Sequence, residues 1–140
     1  MATIAGKCHC GNIGFTLRYP EAEPKIAARA CGCGFCVKHG GVWTSRPDLE
    51  LEVKVDDPAA VSRYRFGTAT ADFLVCTRCG VPPLVTCDID GHTHAVVNVN
   101  TFEGLDPASI PRAPASFEGE MVGDRLARRK RNWIGTVRFS

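Results

Sequence analysis

Seven of the eight cysteines in this chain fall into three short clusters: Cys8-His9-Cys10, Cys31-Gly32-Cys33-Gly34-Phe35-Cys36 and Cys76-Thr77-Arg78-Cys79. Thiols this dense constrain the fold strongly, because segments distant in sequence must bring their sulfurs together around shared metal ions. Zinc takes four tetrahedral ligands, and cysteines one or two residues apart present two thiolates to one ion. The count separates two sites. Cys8, Cys10, Cys76 and Cys79 make a closed set of four, as in a structural zinc. Cys31, Cys33 and Cys36 make three and leave the open position that catalytic zinc sites keep. The expected cofactor is Zn2+, two per chain.

Two rival uses of the cysteines fit less well. A disulfide framework suits shorter secreted chains, and cysteines this close in sequence do not staple distant segments. A redox dithiol at Cys33/Cys36 or Cys76/Cys79 is expected where a strand runs into a helix. Neither pair is followed by a helical pattern. The N-terminus shows no charged segment leading into an apolar one, so no secretory signal is expected and the cytoplasm is the expected location. No stretch reaches the length of a membrane span. A formal net charge of +2 gives no basis for a nucleic-acid partner.

At 140 residues, the chain reads as a single domain able to bury an ordinary core. Its periodicity is mostly that of strands. Ile13, Phe15, Leu17 and Tyr19 alternate with polar or small residues, as do Leu49, Leu51, Val53 and Val55, the pattern of half-buried strands. Further strands are expected at 25–30, 62–66, 72–76, 84–87, 94–99 and 136–139. A hairpin turn is expected at Asp88-Ile89-Asp90-Gly91. Helix is expected only at 106–110 and 123–132. The second stretch carries Arg125, Arg128, Arg129, Lys130 and Arg131; a solvated face is the plain reading, attraction for an anionic substrate the sharper one. An all-β domain of small antiparallel sheets, with metal loops at strand ends, follows.

Within the clusters, an extended run of Cys8, His9 and Cys10 would aim both thiols one way and His9 outward. Cys76-Thr77-Arg78-Cys79-Gly80 has the form of a zinc knuckle whose glycine lets the turn close. The glycines of the triplet leave its three thiols free to wrap one ion.

These spacings, with Gly40-Gly41 and the segment Val97-Asn98-Val99-Asn100-Thr101-Phe102, resemble the glutathione-dependent formaldehyde-activating enzyme family, which also includes centromere protein V. The resemblance spans about residues 5–104 and leaves 105–140 as a C-terminal extension. It implies a β-tent fold related to zinc ribbons. It also implies a structural zinc on Cys8, Cys10, Cys76 and Cys79, and a catalytic zinc on Cys31, Cys33 and Cys36. The implied activity is that of a carbon-sulfur lyase joining glutathione to formaldehyde as S-hydroxymethylglutathione. The Val81-Pro82-Pro83 run after Gly80 departs from the family pattern.

The chemistry also follows from the donor set. A zinc with three thiolates and one exchangeable position lowers the pKa of an incoming thiol and favours its addition to a small aldehyde. The expected partners are a glutathione-like thiol and a small aldehyde such as formaldehyde, with no nucleic acid and no membrane. The alternative is a non-catalytic zinc-stabilised binding module, in which His39, Cys87 or another side chain closes the triplet's fourth position. Trp43, Phe35 and Phe102 are candidate pocket walls, and Lys38 and Arg78 candidate carboxylate contacts, with core packing and solvent exposure as the plain readings. Cys87 reads as a small buried hydrophobe, and His92 and His94 as hairpin residues.

Overall fold

In the computed structural model, which describes residues 1–140, the chain forms eleven strands in two sheets with two short α-helices. The first sheet has the order β1 (Ala2–Lys7), β2 (Ile13–Tyr19), β5 (Glu50–Val55), β11 (Thr136–Phe139). The second runs β10 (Arg112–Ala115), β3 (Ala28–Cys31), β4 (Val42–Thr44), β9 (His92–Asn98), β8 (Leu84–Ile89), β7 (Asp72–Cys76), β6 (Val61–Tyr64). The all-β expectation holds. The sheets are mixed rather than wholly antiparallel, because β10 and β11, one edge strand of each sheet, run parallel to β3 and β5. Both edges come from the stretch after residue 104, which the sequence reading leaves as an extension.

Alternation sets the faces. Ile13, Phe15, Leu17 and Tyr19 of β2 are buried, as are Leu51 and Val53 of β5, and they meet Leu74, Leu84, Ala95 and Val97 of the second sheet in the main core. β8 and β9 are buried almost throughout, because their other face carries a second core. There Val85, Cys87, Ile89 and Val96 pack with Trp43, Cys36, Ala71 and Trp133. The two strands join through a two-residue turn with positive φ at Asp90 (53°) and Gly91 (79°), the type I′ geometry that Asp-Gly favours.

The expected strand at 25–30 begins only at Ala28, and β1, β4 and β10 carry too few alternating residues to be read in advance. A helix is also present where none was expected: α1 (Gly34–His39). Its flanking glycines lower helix propensity and its length gives no periodic signal. Its ends are nonetheless well capped. Cys33 Sγ accepts from Cys36 N–H at 3.4 Å, and Gly40, at φ 70°, closes the C-terminus in the left-handed conformation. Thus Cys33/Cys36 does lie where a strand passes into a helix. The expected helix at 123–132 is α2 (Val122–Asn132), and the expected turn near Pro107 is one 3-10 turn, Pro107–Ser109.

Candidate metal centres and the cavity beside them

Two hairpin tips build the four-cysteine cluster. After β1 the chain turns so that Gly11 N–H donates to Cys8 O at 3.1 Å and Cys8 N–H to Ile13 O at 2.9 Å. Cys8 and Cys10 therefore converge through a turn, not an extended strand, while His9 is exposed as expected. After β7, Gly80 N–H reaches Cys76 O at 2.7 Å, and Gly80 takes φ 78°, the conformation for which glycine carries no Cβ penalty. Asn12 locks the neighbourhood. It is buried, donates to Asp57 O at 3.1 Å and accepts from Asp57 N–H at 2.8 Å.

The sulfurs of Cys8, Cys10, Cys76 and Cys79 all lie within 4.8 Å of one another. Cys8 and Cys10 are 3.8 Å apart and Cys10 and Cys76 3.5 Å. A zinc–sulfur bond of about 2.3 Å sets a tetrahedral edge of about 3.8 Å, so the cluster fits one zinc. All eight cysteines are free. Burial pushes the Cys8 thiol up to about 11. Cys79 goes the other way, to about 6: burial opposes its ionisation, but the backbone N–H groups of Cys10 and Val81 and the Cys76 and Cys8 thiols outweigh it.

The triplet forms at the end of β3. Cys31 closes the strand, Cys33 caps α1 and Cys36 lies buried in its first turn. Their three sulfurs also lie within 4.8 Å of one another, which fits three ligands to one ion. The neighbouring Cys36 thiol, with the Cys33 N–H and thiol and then Arg128, holds Cys31 down at about 5 against its partial burial. The same Cys31 neighbour, with burial, pushes Cys36 up. The two candidate fourth ligands lie elsewhere. His39 is exposed and packs on Phe35 at 4.6 Å between ring centroids. Cys87 is buried and accepts from Arg129 Nη1 at 3.4 Å.

A cavity of ≈ 590 Å³ opens over the triplet. Trp43, Phe66 and Phe73 supply apolar lining, and Arg29, Arg125, Arg128 and Arg129 supply charge. Trp43 thus serves both readings, lining the cavity while packing in the second core. Phe35 packs behind Phe73 at 4.7 Å, and Phe102 belongs to the main core against Phe15. Lys38 is exposed away from the cavity lining, and Arg78 pairs with Asp57 at 2.5 Å. The plain reading of the α2 basic run holds for exposed Lys130 and Arg131 and fails for Arg125, Arg128 and Arg129. Their three- and four-residue spacing was the available signal; without an apolar stripe to orient the helix, the cavity-facing side was not readable.

The family-like segments also have structural roles. Asn98 Oδ1 accepts from Val42 N–H at 3.4 Å and Asn100 N–H at 3.1 Å, while Nδ2 donates to Pro82 O at 3.2 Å. Asn100 Nδ2 donates to Gly40 O at 2.9 Å. These bonds tie the end of β9 to the C-terminus of α1 and to the Pro82-Pro83 run. A Cβ at Gly41 would sit 2.7 Å from the Trp43 ring.

The sequence matches the family model described as glutathione-dependent formaldehyde-activating enzyme over residues 3–117. No curated protein matches it. A crystal structure of a Rhodobacter sphaeroides protein is 27% identical, superposes with a TM-score of 0.55, and covers 78% of this chain and 99% of its own. With the family match spanning most of its length, the chain belongs to the glutathione-dependent formaldehyde-activating enzyme family.

Proposed function

We infer that the protein is a zinc-dependent carbon-sulfur lyase that adds a glutathione-like thiol to a small aldehyde such as formaldehyde at the Cys31, Cys33, Cys36 site. The observation that carries this is the three-sulfur cluster at the floor of an open cavity, with His39 and Cys87 both outside it. Cys8, Cys10, Cys76 and Cys79 would hold the structural zinc. When bound by the triplet, zinc supplies a positive centre that keeps an incoming thiol ionised at neutral pH.

The remaining work falls to the chain. The Trp43, Phe66 and Phe73 walls provide an apolar surface that limits water around the reactants. The substrate sulfur forms a bond to the carbonyl carbon, the C=O π bond opens, and the proton given up by the thiol ends on the new hydroxyl. The reverse path releases thiol and aldehyde. A cytoplasmic location suits two sites that together need seven reduced cysteines.

Exchange NMR tests this directly. Zinc-loaded protein should speed interconversion of glutathione, formaldehyde and their adduct above the uncatalysed rate. An unchanged rate would refute the lyase reading and favour a zinc-stabilised binding role.

A further inference from the structure

Helix α2 lies beyond the residues 3–117 covered by the family model, yet it walls the cavity over the triplet. Its orientation is fixed from both sides. Leu126 and Trp133 pack into the second core, and Arg125, Arg128 and Arg129, sharing one face, line the cavity. The approach to the helix is also fixed. β10 sets Ala115 beside Cys31, and Gly32 N–H donates to Ala115 O at 2.8 Å, so residues 116–120 leave the sheet at the cavity mouth. Arg29, two residues before Cys31 on β3, lines the same cavity.

These four guanidiniums are short of counter-charge. Arg128 has the closest carboxylate, meeting Glu120 through Nε at 3.0 Å and Nη2 at 3.1 Å, with its guanidinium 3.6 Å from the Phe117 ring centroid. Arg125 donates to Phe117 O at 2.9 Å, lies 3.8 Å from Glu120, and has a buried Nε with no hydrogen-bond partner. Arg129 is 7% exposed. It donates through Nη1 to Thr70 Oγ1 at 2.8 Å and to Cys87 Sγ at 3.4 Å, and its Nε is likewise unpartnered. Arg29 donates to Ser45 Oγ at 3.0 Å. The cavity's carboxylates are Glu118 and Glu120. Even with one further negative charge from a zinc bearing three thiolates, the lining stays positive. Buried guanidiniums without counter-ions are costly, and an anion in the cavity would relieve that cost.

We propose that this cavity binds a carboxylate-bearing substrate, with the carboxylate received by the α2 arginines and Arg29 and the reacting group directed to the triplet. The proposal rests on the lyase reading of the same site and adds the residues that select its substrate, four arginines of which three lie outside the family match. The planar guanidinium fork matches a carboxylate, and the α2 face makes these arginines specificity-determining residues. The carboxylate can belong to the thiol, as in glutathione, or to the aldehyde, as in glyoxylate.

Titration calorimetry on the zinc-loaded full chain separates the sources. One arm compares S-methylglutathione with its diethyl ester, and the other compares glyoxylate with methyl glyoxylate. At least one acid should bind about tenfold tighter than its ester. That preference should fall severalfold in Arg125→Gln or Arg29→Gln protein, each checked for an unchanged melting transition. The arm that shows the preference identifies the reactant carrying the acid. Equal binding of acid and ester in both arms, or a preference intact in both variants, overturns the proposal. No turnover is needed. A chain with the acid preference but no exchange activity keeps this site and loses the lyase reading; accelerated exchange without the preference does the reverse.

Discussion

Single residues decide whether the cavity keeps its shape. Gly41 has no room for a side chain, because its Cβ would meet the Trp43 ring at 2.7 Å. Gly41→Ala should therefore displace Trp43 and destabilise the fold by about 1–3 kcal/mol, read as a lower urea midpoint with altered tryptophan fluorescence. An unchanged midpoint and spectrum would show that the ring has room to yield. Cys33 is both a triplet sulfur and the cap of α1. Serine preserves the cap, since its hydroxyl is a favoured N-cap acceptor, so Cys33→Ser is the replacement that separates chemistry from folding. At this scale the two cysteine groupings were legible, because short spacings force neighbouring thiols together. For Lys38, His39 and Arg78 the plain reading, solvent exposure, holds. Proximity to a cysteine in sequence does not determine where a long side chain points, and Arg78 turns to Asp57 instead.

At the scale of elements, α2 and the loop before it hold the cavity's charged wall. Its cap residue Met121 makes no side-chain cap bond, so the Glu120 pair with Arg128 is the main polar tie at that end. Arg128 beside it holds the Glu120 carboxyl below its ordinary value of 4.5. A depressed carboxyl stabilises the fold above its unfolded pKa, and the gain is lost as pH falls through the folded one. Glu120→Gln should thus cost about 1 kcal/mol at pH 7. The melting gap to the parent should narrow as pH drops below about 4.5; a gap independent of pH would show that the pair contributes nothing. Long alternating strands such as β2 were readable because half-burial imposes a period of two. β4 and β10 are too short for that signal, and α1 depends on capping by Cys33 and Gly40 more than on propensity.

Across the whole molecule, the edge strands β10 and β11 draw the C-terminal stretch into both sheets, and the two cysteine clusters occupy different mechanical positions. The strand pattern at 136–139 marked β11, but its parallel pairing is a long-range outcome that hydrophobic pattern does not encode. The four-cysteine cluster clamps two hairpin tips, with Cys8 and Cys76 fully buried. The triplet lies at a cavity, with Cys31 and Cys33 half-buried. Stepwise chelation of zinc-loaded protein should therefore remove one equivalent with the fold intact, and the second only with unfolding, followed by zinc release alongside circular dichroism. Simultaneous release of both would show that the clusters are not independent. The most direct test of the account is to measure zinc content, circular dichroism and glutathione–formaldehyde exchange in Cys33→Ser beside the parent. The account predicts one zinc lost, the fold retained and the acceleration gone; full activity, or loss of both metals, would contradict it.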